Sequence, residues 1–363
     1  MTIQLNGRNA RRGLTAAIGL TTCLTIVTAC GSGGGGSGGG EEETAVTLIT
    51  KDSTNPFFVA MQEGAKKAAD AEGVDLSVEA GAQDGDEAGQ IDAIENAIAS
   101  GDDGILITPN GPGVNAAIED ARAQGMYVIA LDTPTDPPDV VDITFATDNF
   151  KAGQLIGEWA AGTLDGEKAT IAMLDLFNDQ VVSVDYNRDQ GFLTGMGIDT
   201  ADPEVNGDEA ATGQYSGGEY EIVCNEPTGG NGEGGKTGME NCLAQNPDIN
   251  VVYSINEPSG AGAYGALEAA GKEDQAIIVS VDGGCEGVRQ VEQGILDATA
   301  QQYPLDMAKL GIEEIKSIAE GNDPREETEG LEFFDTGVAL VADKPVEGVE
   351  SIDTAEGLEL CWG

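Results

Sequence analysis

Eight residues, most of them just after short apolar runs, with Arg188 opening a helix and Gln302 preceding Tyr303-Pro304, carry side chains suited to holding a small polar molecule: Asn55, Phe57, Phe58, Asp132, Arg188, Asn256, Asp282 and Gln302. Amide, carboxylate and guanidinium groups make planar, often bidentate hydrogen bonds, and aromatic faces stack on apolar C–H surfaces. A polyhydroxylated ring, such as a monosaccharide, offers both kinds of surface. Each residue alone has a plainer reading. Phe57 and Phe58 suit a core, Asp132 or Asp282 a helix cap, and Arg188 a surface ion pair. Their recurrence just after strand-like runs favours a shared ligand.

Composition removes much other chemistry. The 363 residues contain no histidine, which excludes Ser-His-Asp and Cys-His catalysis and any His-ligated zinc or haem. With 65 Asp+Glu against 17 Lys+Arg, a net charge of −48, the chain is unsuited to nucleic acid or anionic headgroups. The acids are spread along the chain, as on a halophile-like surface whose repulsion is screened by concentrated salt. Glycosidic acid/base catalysis would need a spaced carboxylate pair, which sequence alone does not supply, so no enzyme activity is expected.

Two motifs offer rival chemistry. Gly230-Asn231-Gly232-Glu233-Gly234-Gly235-Lys236-Thr237 fits G-x-x-x-x-G-K-[ST], so the alternative reading is a P-loop nucleotide-binding protein using 230–237, with Asp282 on magnesium. The motif starts well past its strand, and its plainer reading is a flexible loop. The run from Asp84 to Glu95 follows a calcium-loop pattern except at Ala88. A calcium loop needs a helix before it, whereas 74–78 reads as a strand. An acid-rich first turn of a helix is the plainer account. No metal or cofactor is expected.

The elements that must place these residues alternate. Apolar strands are expected at 46–50, 74–78, 105–108 and 127–131. Between them run a helix opening at Pro56, with Phe57, Met61, Ala65 and Ala68 on one face, a second over 87–99, and a third marked by Val114, Ile118 and Ala121. A second series has strands at 169–174, 220–224, 251–255 and 277–281 and helices at 188–198, opened by Arg188, and 236–245. Such alternation predicts an α/β protein of two doubly wound parallel-sheet domains, with ligands at the carboxyl ends of the strands.

Arg8, Arg11 and Arg12 precede an apolar run over 13–29, which reads as an export signal, a retained membrane anchor being the alternative. Val27-Thr28-Ala29-Cys30 resembles a bacterial lipobox, which implies lipidation of Cys30 and a Gly/Ser/Glu tether over 30–44. The Arg11-Arg12 pair leaves the export route open between the general and twin-arginine systems. Beyond Cys23 and Cys30 the cysteines are Cys224, Cys242, Cys285 and Cys361. Three pairings are possible. The preferred one joins Cys224 to Cys242, closing the Gly-rich stretch 225–241, and Cys285 to Cys361, pinning the C-terminal tail.

Several segments together resemble the ribose-binding branch of the type I periplasmic binding proteins. They are Asn55-Pro56-Phe57-Phe58 with Glu63-Gly64-Ala65, Ala130-Leu131-Asp132 with Thr147-Asp148-Asn149, Arg188-Asp189-Gln190-Gly191-Phe192, Tyr253-Ser254-Ile255-Asn256-Glu257, Val281-Asp282-Gly283 and Gln302-Tyr303-Pro304. The resemblance implies sugar contacts from the eight residues named first. It also implies two lobes joined by a three-stranded hinge, 45–148 with 303–331 and 149–302 with 332–363. The crossings would fall near 148–150, 302–304 and 330. Further implied are an exported, monomeric, lipid-anchored protein that touches the membrane through its anchor alone, and delivery to the permease of an ABC-type sugar importer. Two departures count against ribose itself. Thr133 stands where ribose binders carry arginine, and 229–235 lacks their second-lobe aromatic, leaving Phe177 or Trp159 to substitute. The stretch Cys224 to Cys242, with Asn241, resembles the fructose-binding branch, so fructose or a ribose-like sugar is expected.

Overall fold

The computed structural model describes residues 43–363. The expected export signal, the expected lipidation site Cys30 and nearly all of the expected tether lie outside the described residues.

Two sheets organise the chain. The first is built from β1 (Ala45–Thr50), α1 (Pro56–Glu72), β2 (Asp75–Ala80), α2 (Glu87–Ser100), β3 (Gly104–Ile107), α3 (Asn115–Ala123), β4 (Tyr127–Leu131) and β5 (Ile143–Ala146). The chain then passes through α4 (Asn149–Thr163), β6 (Ala169–Asp175), α5 (Ser183–Met196), β7 (Thr212–Gln214), β8 (Glu219–Pro227) and α6 (Gly232–Gln245). It continues with β9 (Val251–Ser254), α7 (Glu257–Ala270), β10 (Ile277–Asp282), α8 (Cys285–Gln293) and β11 (Ala298–Gln301). The last elements are α9 (Pro304–Ala319), β12 (Phe334–Asp335), β13 (Ala339–Val341) and α10 (Thr354–Leu360). The strand orders are β12-β5-β4-β3-β1-β2 and β13-β11-β10-β9-β6-β8-β7. Every pairing is parallel except β7 with β8 and β11 with β13. Parallel strands buried on both faces need unbroken apolar runs, and β3, β4 and β9 supply them.

The chain passes between the sheets three times. It leaves the first after Ala146, returns through Gln302 and Tyr303 to α9, which packs on α1, and leaves again after Asp335. That last position corrects the sequence expectation. Phe334 and Asp335 pair with Phe145 and Ala146, so 332–335 belongs with the first sheet and the third crossing lies at 336–338 rather than near 330. A two-residue strand carries too little periodicity to be read in advance.

Local rules explain where the site-bearing helices start. Asn55 caps α1, its side-chain oxygen accepting the Phe57 N–H at 3.0 Å, with Pro56 at the first helical position. Asn256 caps α7 in the same way, accepting the Ser259 N–H at 3.1 Å. Arg188 does not open its helix as expected. The helix begins at Ser183, where Asp185 in its first turn accepts the N–H groups of Leu176 and Phe177 at 2.9 and 3.0 Å.

That earlier start places Arg188 on the second turn of α5, and two glycines fix its depth. A Cβ on Gly153 of α4 would overlap the Arg188 carbonyl, and one on Gly191 would overlap the Phe150 carbonyl. The two helices therefore touch backbone to backbone. The disulfides are Cys224–Cys242 and Cys285–Cys361, with Cα separations of 5.6 and 4.9 Å. Gly153→Ala is expected to force α4 and α5 apart and to lower stability by about 1–3 kcal/mol. Urea denaturation checks this; a midpoint equal to that of the parent protein would refute the close-approach argument.

Candidate functional site

The carboxyl ends of both sheets converge on one small cavity. Its wall from the first sheet is Lys51, Asn55, Phe57, Phe58, Asp84 and Asp132. Its wall from the second is Leu176, Val184, Arg188, Ile255, Asn256 and Asp282. Seven of the eight sequence-derived residues line it. Gln302 stands behind, fully buried, donating from Nε2 to Asp282 Oδ1 at 3.3 Å. The enclosed free space is about 30 Å³. That is little more than a few waters occupy, so a larger ligand enters only when the walls part.

Arg188 is the centre of the polar wall. Its Nε donates to Asn149 Oδ1 at 2.8 Å and its Nη1 to the Ile255 carbonyl at 2.9 Å. Its Nη2 lies 4.0 Å from Asp132 Oδ1, across the cleft, and its Nη1 also lies 3.8 Å from Asp282 Oδ1. Asn149 also reaches back to the carbonyls of Thr147 and Asp132, so the first crossing itself aims the guanidinium. All of these polar groups are buried, and such charges persist only when paired.

Asp132 and Asp282 stand in strained backbone. Their φ angles are 64° and 141°, and among the described residues Asp165 is the one other non-glycine residue with positive φ. Each such conformation costs on the order of 1–3 kcal/mol and persists where the surroundings over-determine it. The strain turns each aspartate off the end of its strand toward Arg188. Asp132 accepts from Thr133 Oγ1 at 2.9 Å through Oδ2, while its Oδ1 is buried without a hydrogen-bond partner. The oxygens Oε1 of Gln302 and Oδ1 of Asp84 are likewise unpartnered. Buried acceptors of this kind stay costly until a donor meets them.

The other site residues divide by role. Asn55 and Asn256 spend their oxygens as helix caps, and Asn256 Nδ2 also donates to the Gly230 carbonyl at 2.9 Å, so their remaining capacity is as donors. Phe57 and Phe58 are 4% exposed and lie edge to face, serving at once as core and as cavity wall. Neither candidate second aromatic lines the cavity. Trp159 is buried in the second core with Nε1 donating to the Lys344 carbonyl, and Phe177 sits outside, close to Gly85. Leu176, Val184 and Ile255 form that wall instead.

Lys51 and Asp84 were not among the expected site residues. Lys51 is 2% exposed and its Nζ lies 4.0 Å from Asp84 Oδ1. Lys51 follows β1 directly, so the strand-end rule that selected Asp132 also covers it. Asp84 carries a sequence signal only within the calcium-loop pattern. The acids of that pattern diverge: Asp84 turns into the cavity, Asp86 caps α2, and Glu87 accepts the Gly113 N–H. The P-loop pattern is likewise accounted for. Its amides are already used, Gly230 N–H by Thr228 Oγ1 and Gly234 N–H by Asn231, while Lys236 faces Glu240 at the surface.

Burial shifts several acids upward. Asp282 is pushed up to about 7 by burial, against the pull of Arg188. Glu257 is pushed up to about 8 by burial and by the adjacent Asp282; it accepts from the N–H groups of Gly283 and Gly284 and from Thr299 Oγ1. Burial also raises Asp84 and carries Asp185 to about 6.

The family follows from these features together. The chain belongs to the periplasmic binding protein domain family, whose profile spans residues 46–323. It is 27% identical over 277 residues to the ribose import binding protein of Salmonella typhimurium, covering 76% of this chain and 85% of that one. It is 26% identical over 346 residues to the D-ribose/D-allose-binding protein of Pseudomonas aeruginosa, covering 92% and 98%. Among solved structures, an ABC transporter solute binding protein from Agrobacterium vitis, bound with α-D-tagatopyranose, superposes with a TM-score of 0.72 at 20% identity, covering 88% and 100%. The fold is that of the type I periplasmic binding proteins.

The raised acids make a pH prediction. Between about pH 4 and 8 the folded chain holds protons on Asp282 and Glu257 that the unfolded chain, with ordinary values of 3.8 and 4.5, has released. Stability therefore falls as pH rises through that window. Urea midpoints at pH 5 should exceed those at pH 8, and Glu257→Gln should flatten the slope. An unchanged slope in that variant would assign the effect to overall negative charge instead.

Proposed function

We propose that this protein is an extracytoplasmic solute-binding protein that captures a monosaccharide between two lobes and delivers it to an ABC-type sugar importer. The observation that carries the reading is the convergence of Phe57, Phe58 and Asp132 from one sheet with Arg188, Asn256 and Asp282 from the other on a single cavity. Aromatic rings serve the C–H face of a sugar, and the guanidinium and carboxylates serve its hydroxyls. The two curated relatives described above are named as ribose- and allose-binding proteins, which supports the ligand class. Thr133 in place of a cation and the aliphatic second-lobe wall favour fructose or a ribose-like sugar over ribose itself. Lys51 and Asp84 extend the polar wall and suit an additional hydroxyl.

The proposed lobes are 45–148 with 303–335 and 149–302 with 336–363. In this reading the ligand meets both, favours the closed state and displaces the direct facing of Arg188 on Asp132. The hinge lies at the three crossings. Gln302 acts through Asp282. Binding, not turnover, is the proposed activity, with a monomer presenting both lobes to the permease. Export, lipid attachment at Cys30 and a tether over 30–44 complete the proposal and rest on sequence.

Calorimetry against D-fructose, D-ribose, D-allose, D-glucose and D-galactose tests the reading. At least one should bind with a 1:1 stoichiometry, and Asp132→Asn or Arg188→Met should weaken it at least tenfold while the variant stays folded. No binding by any monosaccharide would sink the assignment. The acidic surface makes a separate expectation: the melting temperature should fall as salt is lowered toward zero, and a constant value would reject salt adaptation.

A further inference from the structure

Trp362 belongs to the second lobe by its covalent attachment and to the first by its ring. Its neighbour Cys361 is bonded to Cys285 at the start of α8. The Trp362 carbonyl accepts the Cys285 N–H at 2.8 Å, and the backbone forms a short parallel bridge with Gly284. The indole, 5% exposed, packs in the core of the first lobe. There it meets Phe57 edge to face at 5.3 Å, and Phe57 meets Phe58 the same way at 5.5 Å. Its Nε1 donates to the Gln302 carbonyl at 2.9 Å, on the second crossing between the sheets.

The indole is thus fixed at three points, the disulfide, the hinge crossing and the aromatic wall of the cavity. Phe57 lies in the first turn of α1, and its ring is held by the two aromatic edges on either side. Removing the indole would leave a void beside Phe57, and a ring next to a void turns into it to regain contact. We propose that Trp362 is a positioning residue for the ligand site, setting the Phe57 face and tying its orientation to the hinge. This rests on the monosaccharide-binding reading above. A tail that merely pins the C-terminus would support stability and leave ligand affinity alone, so the two roles separate by measurement.

The chain has two tryptophans, and Trp159 is buried in the second core. Sugar-dependent tryptophan emission should therefore report on Trp362. The test titrates D-fructose, D-ribose and D-allose into the parent protein, Trp362→Phe and Trp362→Ala, by calorimetry and by emission. Trp362→Ala should bind about tenfold more weakly, whereas Trp362→Phe, which keeps an aromatic edge, should stay within about threefold. Trp362→Phe should lose the sugar-dependent emission change. A folded Trp362→Ala with affinity within about twofold of the parent would overturn the proposal. So would a folded Trp362→Leu that binds within about twofold of the parent, a variant that keeps much of the packing volume without an aromatic edge and decides the matter even if the alanine variant does not fold. Should the parent bind none of the three, the monosaccharide reading and this inference fall together; a binding parent matched by both variants removes this inference alone.

Discussion

The contacts of one guanidinium organise the cleft. Arg188 is 6% exposed at its side chain and faces Asp132 from one sheet and Asp282 from the other at 4.0 and 3.8 Å. A buried cation is tolerated only beside compensating charge and hydrogen bonds, and Arg188 has both. Its supports reach in three directions, through Asn149 to the first crossing, through the Ile255 carbonyl to the end of β9, and through the glycine contact of α4 with α5. Moving any of these would move the group that both sheets address.

The strained aspartates belong to the same arrangement. Positive φ at Asp132 and Asp282 turns two strand ends inward, and the stabilisation that offsets this comes from the parallel sheets behind them. Glu257 lies behind Asp282, tied to Gly283, Gly284 and Thr299, so a second buried carboxyl stiffens the loop that carries the first. Stability and binding are coupled here through shared residues. The raised acids cost stability as pH rises, and one of them, Asp282, also lines the cavity.

Much of the arrangement is legible in the sequence because parallel strands must be apolar and the residues after their carboxyl ends line the cavity. Asp132 and Asp282 could be found from 127–131 and 277–281 alone. Lys51 obeys the same rule, but a lysine after a strand reads as solvated surface until its burial is seen. The start of α5 lies earlier than the local pattern indicates because its cue is a tertiary one, Asp185 accepting two loop N–H groups. The third crossing lies later than the local pattern indicates because Phe334–Asp335 is too short to show a period. The preferred disulfide pairing matches the structure. The role of the pinned tail, with Trp362 against Phe57, lies in long-range packing that no local pattern encodes.

The central claim is that one ligand bridges the two lobes through Arg188 and the aspartates facing it. A crystal structure with the monosaccharide that binds most tightly tests it most directly. Hydroxyls within hydrogen-bonding distance of Arg188, Asp132 and Asp282, with the ring against Phe57 or Phe58, are the predicted result. A sugar held by one lobe alone, with Arg188 still turned to Asp132, would contradict it.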